Sequence, residues 1–200
     1  TQIKPHFLYN ALDLIYVLCS MGRSEEAGGM TKALADFYRV ALSGGKEIIS
    51  LREEMNGVRN YLMIQKNRYS DIFDFSIEEI EEELMETPIP KLSIEPLVEN
   101  AIYHGIKNLD TTGIISIYSQ IIENKIELII EDNGIGFEAA KKQALMKMGG
   151  VGIKNVNKRI QYYYGNEYGA KIDSSFKTGA RIIITLPCEL LTTKVESFIR

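Results

Sequence analysis

The sequence predicts an α+β chain: an N-terminal helical region of about 70 residues, then an α/β sandwich whose mixed sheet is covered by helices on one face. Three observations carry that expectation. Apolar residues recur at helical spacing through the first third, while from Ile72 onward short alternating apolar runs take over. Helical patterns intervene between those runs, which favours a layered α/β arrangement over an all-β one.

Between Gln2 and Cys19, Ile3, Phe7, Ala11, Leu14 and Leu18 recur every three or four positions, widened by Leu8, Leu12, Ile15 and Cys19. At ~100° per residue, Gln2, His6, Asn10 and Asp13 fall together on the opposite, polar side. A second helix is expected over Ser24–Leu42, stopping at Ser43-Gly44-Gly45, and a third over Leu51–Arg68. Strands are expected over Ile72–Ile80, Ile114–Ile122 and Lys125–Glu131, the last two joined tightly at Asn124. A final pair, Ala170–Phe176 and Ala180–Leu186, turns at Lys177-Thr178-Gly179. Helices are expected over Ser93–His104 and Ile153–Tyr164, the latter closing at Gly165. Residues 78–86 hold six glutamates in nine positions and read as a solvated loop or face.

Composition narrows the classes. Of 200 residues, 45% are hydrophobic and 25% charged, ordinary for a chain that buries a core. A net charge of -4 offers no basic footprint for nucleic acid. Cys19 and Cys188 stand far apart without metal-ligand spacing and read as buried apolar residues in a reducing compartment. Thr1 opens inside a helical pattern with no initiator Met, as expected of a fragment excised from a longer protein.

Four segments could carry chemistry. In 92–105, Ile94, Leu97, Val98, Ala101 and Ile102 form one apolar helix face, with Glu99, Asn100 and Tyr103 turned away from it. A rigidly held asparagine can offer a neutral oxygen to Mg²⁺; a merely wet helix face reads the same way. In 129–137 a strand runs into Asp132-Asn133-Gly134-Ile135-Gly136, placing a carboxylate at the strand end with glycines that admit a ligand to the backbone. Asn133-Gly134 is equally a turn signal. In 148–156, Gly149, Gly150 and Gly152 precede the helical pattern that holds Asn155, and a glycine-led helix N-terminus suits phosphate. It is neither a P-loop nor a dinucleotide fingerprint. In 2–10, His6 projects from the polar stripe, and a neutral imidazole is a competent nucleophile near pH 7.

The order of these segments, closed by Thr178-Gly179 and a strand ending Leu186-Pro187, resembles the N, G1 and G2 boxes of the GHKL (Bergerat-fold) ATPase superfamily. Upstream, Gln2-Ile3-Lys4-Pro5-His6-Phe7-Leu8-Tyr9-Asn10 resembles the phosphoacceptor motif of LytS/YehU-type sensor histidine kinases. Residues 61–69 (Tyr61 to Tyr69) are similar to that family's linker.

The resemblance implies a two-component kinase core. ATP and Mg²⁺ bind in the C-terminal part, His6 is phosphorylated, and the phosphoryl group passes to an aspartate on a response regulator receiver domain. Its residues imply Asn100 on Mg²⁺ with Glu99 beside it, Asp132 on adenine with Gly134 and Gly136 shaping that pocket, and Gly150 and Gly152 flanking the phosphates. Tyr103, His104, Asn155 and Gly179 complete the implied nucleotide site. A lid is implied from Phe137 to Gly149, with Lys141, Lys142 and Lys147 as partners for phosphate. Asn10, one turn after His6, is placed to orient a water towards a docked phosphoaspartate.

The division implied is 1–70 for dimerisation, phosphoacceptor and linker, 71–190 for the ATP-binding domain and 191–200 for a tail. The whole protein is expected to be a homodimer anchored in the bacterial inner or plasma membrane through segments absent here, with this part cytoplasmic. Three positions depart from the family: Tyr103 stands where a base is common, Ala180 where Thr is frequent, and Phe7 where many relatives carry an acid. The general base is thereby left open, with Glu99 one candidate. A conformational-clamp ATPase or an anti-sigma-type serine kinase would not explain the His6 segment. A degenerate nucleotide-binding scaffold is the other alternative.

Overall fold

A computed structural model describes residues 5–42, 45–107, 109–137 and 146–188, with the backbone alone described for 146–151. The N-terminal layer is a helical hairpin. Its first helix, α1 (Pro5–Ser20), ends where Gly22 takes φ 73°, Gly22 N–H donates to Cys19 O and Arg23 N–H donates to Leu18 O. That pair of bonds is the glycine-terminated stop that satisfies the last carbonyls of a helix. The chain then enters α2 (Ser24–Leu42), and Phe7, Ala11 and Leu18 bury against Ala27, Met30, Ala33, Leu34 and Phe37.

The helix α3 (Leu51–Arg68) starts from Ser50, whose hydroxyl accepts from Glu53 N while Glu53 returns a bond to Ser50 N. This reciprocal cap satisfies two otherwise orphaned N–H groups. The buried residues Leu51, Glu54, Met55, Val58, Tyr61, Leu62 and Gln65 wrap much of the helix, because it is packed from two sides. One side meets α1 and α2; the other meets the α/β layer. Just before it, β1 (Ile48–Ser50) pairs antiparallel with β3 (Pro88–Pro90), a small ladder the sequence reading lacked. Prolines at both ends of a three-residue segment argue against a strand; here they stand at the edge of a two-stranded ladder.

The main sheet has the order β2-β4-β5-β7-β6, from β2 (Phe73–Ile77), β4 (Gly113–Ile122), β5 (Lys125–Asp132), β6 (Gly169–Ile172) and β7 (Ala180–Pro187). Only β2 and β4 pair parallel, so the sheet is mixed as expected. Two strands are shorter than the sequence suggested. β2 stops at Ile77 where the glutamate run begins, and β6 stops at Ile172, where Asp173 turns to cap Ser175. The end of the glutamate run forms a short 3-10 helix (Glu82–Glu86) that buries Leu84 and pairs Glu82 and Glu86 with Arg52.

One face of the sheet carries Ile115 and Ile117, then Ile126, Leu128 and Ile130, then Ile182, Ile184 and Leu186, all buried under the helices. The covering helices are α4 (Glu95–Asn100), which continues through a π-helical turn (Ala101–Ile106), and α5 (Met146–Tyr164). The opposite face mixes Ile129 and Ile183 with polar groups, Tyr118 and Arg181 both donating to Glu131 and Arg181 also pairing with Asp173 at 3.2 Å.

Candidate functional site

Strand alternation places the central carboxylate. Ile126, Leu128 and Ile130 point into the helix-covered core, so two residues further on Asp132 points the same way. It is only 6% exposed, opposite Ile115 on β4 and Ala180 on β7. Burial pushes its carboxyl up to about 6, while the N–H groups of Gly134 and Ala180 pull it down. The Gly134 bond to Oδ1 is 2.8 Å long.

Around this carboxylate the backbone closes in without side chains. A Cβ on Gly105 would stand 2.8 Å from Asp132 Oδ1, and one on Gly134 would stand 2.4 Å from the Gly105 carbonyl. Gly179, at φ 142°, leaves a Cβ only 1.8 Å from the Asp132 carbonyl oxygen. Gly136 (φ 77°) lies against the Gly179 carbonyl. Gly105, named within its segment but not among the expected site residues, is thus as close to the carboxylate as any of them. Ile135 N–H donates to Gly105 O at 3.0 Å, stitching the π-turn to the loop after β5. A π-turn inserts one extra residue per turn, and such bulges occur often at functional sites. Here it brings the backbone of Gly105 down onto β5.

Asn100 ends α4, where the chain runs into the π-turn that carries Gly105. Its Nδ2, like Nδ1 of His104, is buried without a hydrogen-bond partner among the described residues. A buried amide donor left unpaired is costly in an isolated chain. A Cβ on Gly152 would lie 3.2 Å from that same Asn100 Nδ2. Of the expected residues, Asp132, Gly134, Gly136 and Gly179 are therefore brought together, and Asn100 is brought against Gly152.

Others stand apart or differ. The Tyr103 ring meets Tyr69 edge-on at 6.5 Å with Lys107 Nζ 5.4 Å above it, so it faces the end of α3. Asn155 is exposed on α5. Glu99 is half-buried and adds to the charge that raises the Tyr61 hydroxyl, chiefly raised by burial. The glycines were expected ahead of a helix N-terminus; instead α5 begins at Met146, placing Gly149, Gly150 and Gly152 within its first two turns. Met146, Lys147 and Met148 are good helix formers, which favours that earlier start. Of the expected lid, residues 138–145, with Lys141 and Lys142, lie outside the described residues, as does the expected tail, 191–200.

His6 lies exposed on α1 while its neighbour Phe7 is buried, with ring centroids 5.0 Å from both Phe37 and Tyr61. The Asn10 amide nitrogen lies 3.0 Å from Nδ1 and 3.2 Å from Nε2 of His6.

A family described as histidine kinase-, DNA gyrase B-, and HSP90-like ATPase matches residues 90–190. The chain belongs to that family. The GHKL-type ATPase region is preceded by a match to the histidine kinase family over residues 1–73, so the resemblance to LytS-type sensor histidine kinases extends along most of the chain. Sensor histidine kinase YesM of Bacillus subtilis (strain 168) is 33% identical over 94% of this chain. Sensor histidine kinase BtsS of Escherichia coli (strain K12) is 33% identical over 93%, and sensor protein LytS of Bacillus cereus is 29% identical over 93%. These matches cover 32%, 32% and 33% of those relatives, so the chain spans about a third of their length. Among solved structures, the catalytic domain of histidine kinase ThkA is similar with a TM-score of 0.49, at 22% identity over 70% of this chain and 95% of that chain. No helix among the described residues is long and apolar enough to cross a membrane.

Proposed function

We propose that the chain is the catalytic core of a two-component sensor histidine kinase, taking ATP as substrate in the Asp132 cup and transferring its γ-phosphoryl group to His6. The observation that carries this reading is the buried carboxylate enclosed by backbone. Asp132 accepts from the exocyclic amine of adenine, while Gly105, Gly134 and Gly179 leave space where any side chain would fill the cup. Asn100, with its unpaired amide, faces the phosphates together with Gly150 and Gly152 of α5. Mg²⁺, when bound, is held by the Asn100 oxygen and neutralises triphosphate charge.

A ring nitrogen of His6 attacks the γ-phosphorus in line: an N–P bond forms, the P–O bond to the departing ADP breaks, and the ring proton passes to solvent. A neutral imidazole has its lone pair available near pH 7, so positioning supplies most of the rate. The phosphoryl group then passes to an aspartate of a receiver domain. The whole protein functions as a membrane-anchored homodimer with this core in the cytoplasm. The exposed stripe Tyr9, Leu12, Tyr16 and Val17 on α1 is an apolar face suited to a second copy.

Incubation with γ-labelled ATP tests the reading. Acid-labile label on the chain supports it. Release of free phosphate alone would point to a clamp-type ATPase, and neither product to a scaffold.

A further inference from the structure

Glu54 lies in the middle of a buried helix face, 2% exposed, where its sequence neighbour Glu53 serves only the cap. Its carboxylate accepts three consecutive backbone N–H groups: Leu92 at 2.9 Å through Oε2, Ser93 at 2.8 Å and Ile94 at 2.9 Å through Oε1. Leu92 adopts φ 57°, a left-handed turn uncommon for a branched side chain, and this turn points the three donors at one acceptor. Burial raises the Glu54 carboxyl, and these three bonds with the nearby Arg159 charge oppose that rise.

The held turn lies immediately ahead of α4, a helix of six residues whose last is Asn100. In so short a helix, fixing the start fixes the end. The same turn is held from a second direction, because Arg159 of α5 donates to Leu92 O at 2.6 Å. Seven residues earlier on α5, about two turns, stands Gly152, against Asn100. The far end of α5 is fastened to the small ladder as well, through Tyr164 to Pro88 O at 2.7 Å and Tyr163 to Glu47 at 2.5 Å. Both walls beside Asn100 therefore depend on one turn, and that turn depends on α3.

On α3, Glu54, Val58, Tyr61 and Gln65 share one buried stripe. Tyr61 supports Phe7, the residue after His6, and receives a 2.9 Å bond from Gln65.

We infer that Glu54 is a positioning residue for phosphoryl transfer: by holding the Leu92–Ile94 turn it sets the place of Asn100, and it ties that place to the helix that supports the segment bearing His6. This inference rests on the nucleotide reading given above. A shift of α3 relative to the sheet would move Asn100 while leaving Asp132, anchored in β5, where it is.

Glu54→Gln keeps the reach but puts an amide donor against one of the three N–H groups. ATP affinity of the 200-residue chain is measured by calorimetry in excess Mg²⁺ and in chelator. The variant is expected to keep its chelator affinity within about threefold while losing at least about fivefold of the Mg²⁺-dependent gain, and to label His6 at least about tenfold more slowly. The double variant with Asn100→Ala should fall no further than Asn100→Ala alone, since both act through one side chain. An undiminished Mg²⁺ gain overturns the inference. So does an additive double variant, or a parallel loss of chelator affinity, either of which marks a merely structural carboxylate. Should Glu54→Gln not melt cooperatively, Arg159→Lys is read by the same criteria from the other side of the turn. A wild-type chain that binds ATP in neither condition sinks the nucleotide reading itself, an outcome distinct from the rest.

Discussion

The amide nitrogen of Asn10 lies within 3.2 Å of both ring nitrogens of His6, one helical turn away on the exposed side of α1. An amide can donate only to a ring nitrogen without a proton, so the tautomer decides which nitrogen accepts, and that bond competes for the lone pair that must attack phosphorus. Asn10→Ala should therefore label His6 as fast as wild type or up to about threefold faster, the bond being exposed and weak. On the expectation that the amide orients a water towards the phosphoaspartate of a docked regulator, the variant should dephosphorylate the cognate regulator at least about tenfold more slowly, roughly 1.4 kcal/mol. Equal dephosphorylation rates would remove Asn10 from that step.

His6→Gln should abolish acid-labile label while ATP affinity stays within about threefold, because the side chain sits exposed on the helical layer, which meets the α/β layer mainly through α3. Label persisting on any histidine, read by phosphopeptide mapping, would reassign the nucleophile.

Asp132 makes a pH-dependent contribution of known sign. Burial raises its carboxyl to about 6, whereas an unfolded aspartate titrates near 4. The folded chain therefore binds the extra proton in that window, and the stability it brings, full below pH ~4, is lost as pH rises through about 6. Asp132→Asn carries no charge, so its stability relative to wild type should improve by about 2–3 kcal/mol between pH 4 and pH 8. Denaturant midpoints at the two pH values measure this. The same variant should bind ATP about 30- to 150-fold more weakly at pH 8, the equivalent of roughly 2–3 kcal/mol. Unchanged affinity would exclude the carboxylate from adenine recognition.

Gly179→Ala puts a methyl group into the Asp132 carbonyl at a backbone angle side chains avoid. It should cost about 3 kcal/mol or more in a chemical melt. Gly105→Ala, whose Cβ meets only the far end of the Asp132 side chain, should cost less stability yet lower ATP affinity at least about tenfold. A Gly105→Ala chain with full affinity would show that the cup is not the adenine pocket.

Much of this was readable from residue order. The helices at 24–42 and 51–68 follow from periodicity sustained over several turns, and their bounds agree with the structure residue for residue. Asp132 was legible because a strand runs straight into Asp132-Asn133-Gly134-Ile135-Gly136, leaving a carboxylate at its end among glycines. What escaped depended on tertiary contact. Glu54 follows Glu53 on a charged first turn, which in isolation reads as solvent-facing; only the Leu92 turn makes it a buried anchor. The Ser50–Glu53 cap was present in the letters as a serine three residues ahead of a glutamate, and went unread. Gly105 had one usable signal, a glycine breaking a helix that also had to approach a strand. The glycines at 149–152 were expected ahead of a helix N-terminus, but the helix starts at Met146 and absorbs them at about 1 kcal/mol each.

The register that sets Asp132 opposite Ala180 also governs how the molecule assembles. The β4–β5 hairpin is local and is expected to form early, while joining β5 to β7 closes a loop over residues 133–179 and is expected to follow. The proposed adenine cup has one wall on each side of that closure. A chain opened along this seam keeps its hairpin and its helical layer but has no cup to offer, so nucleotide should slow unfolding chiefly by holding the seam shut.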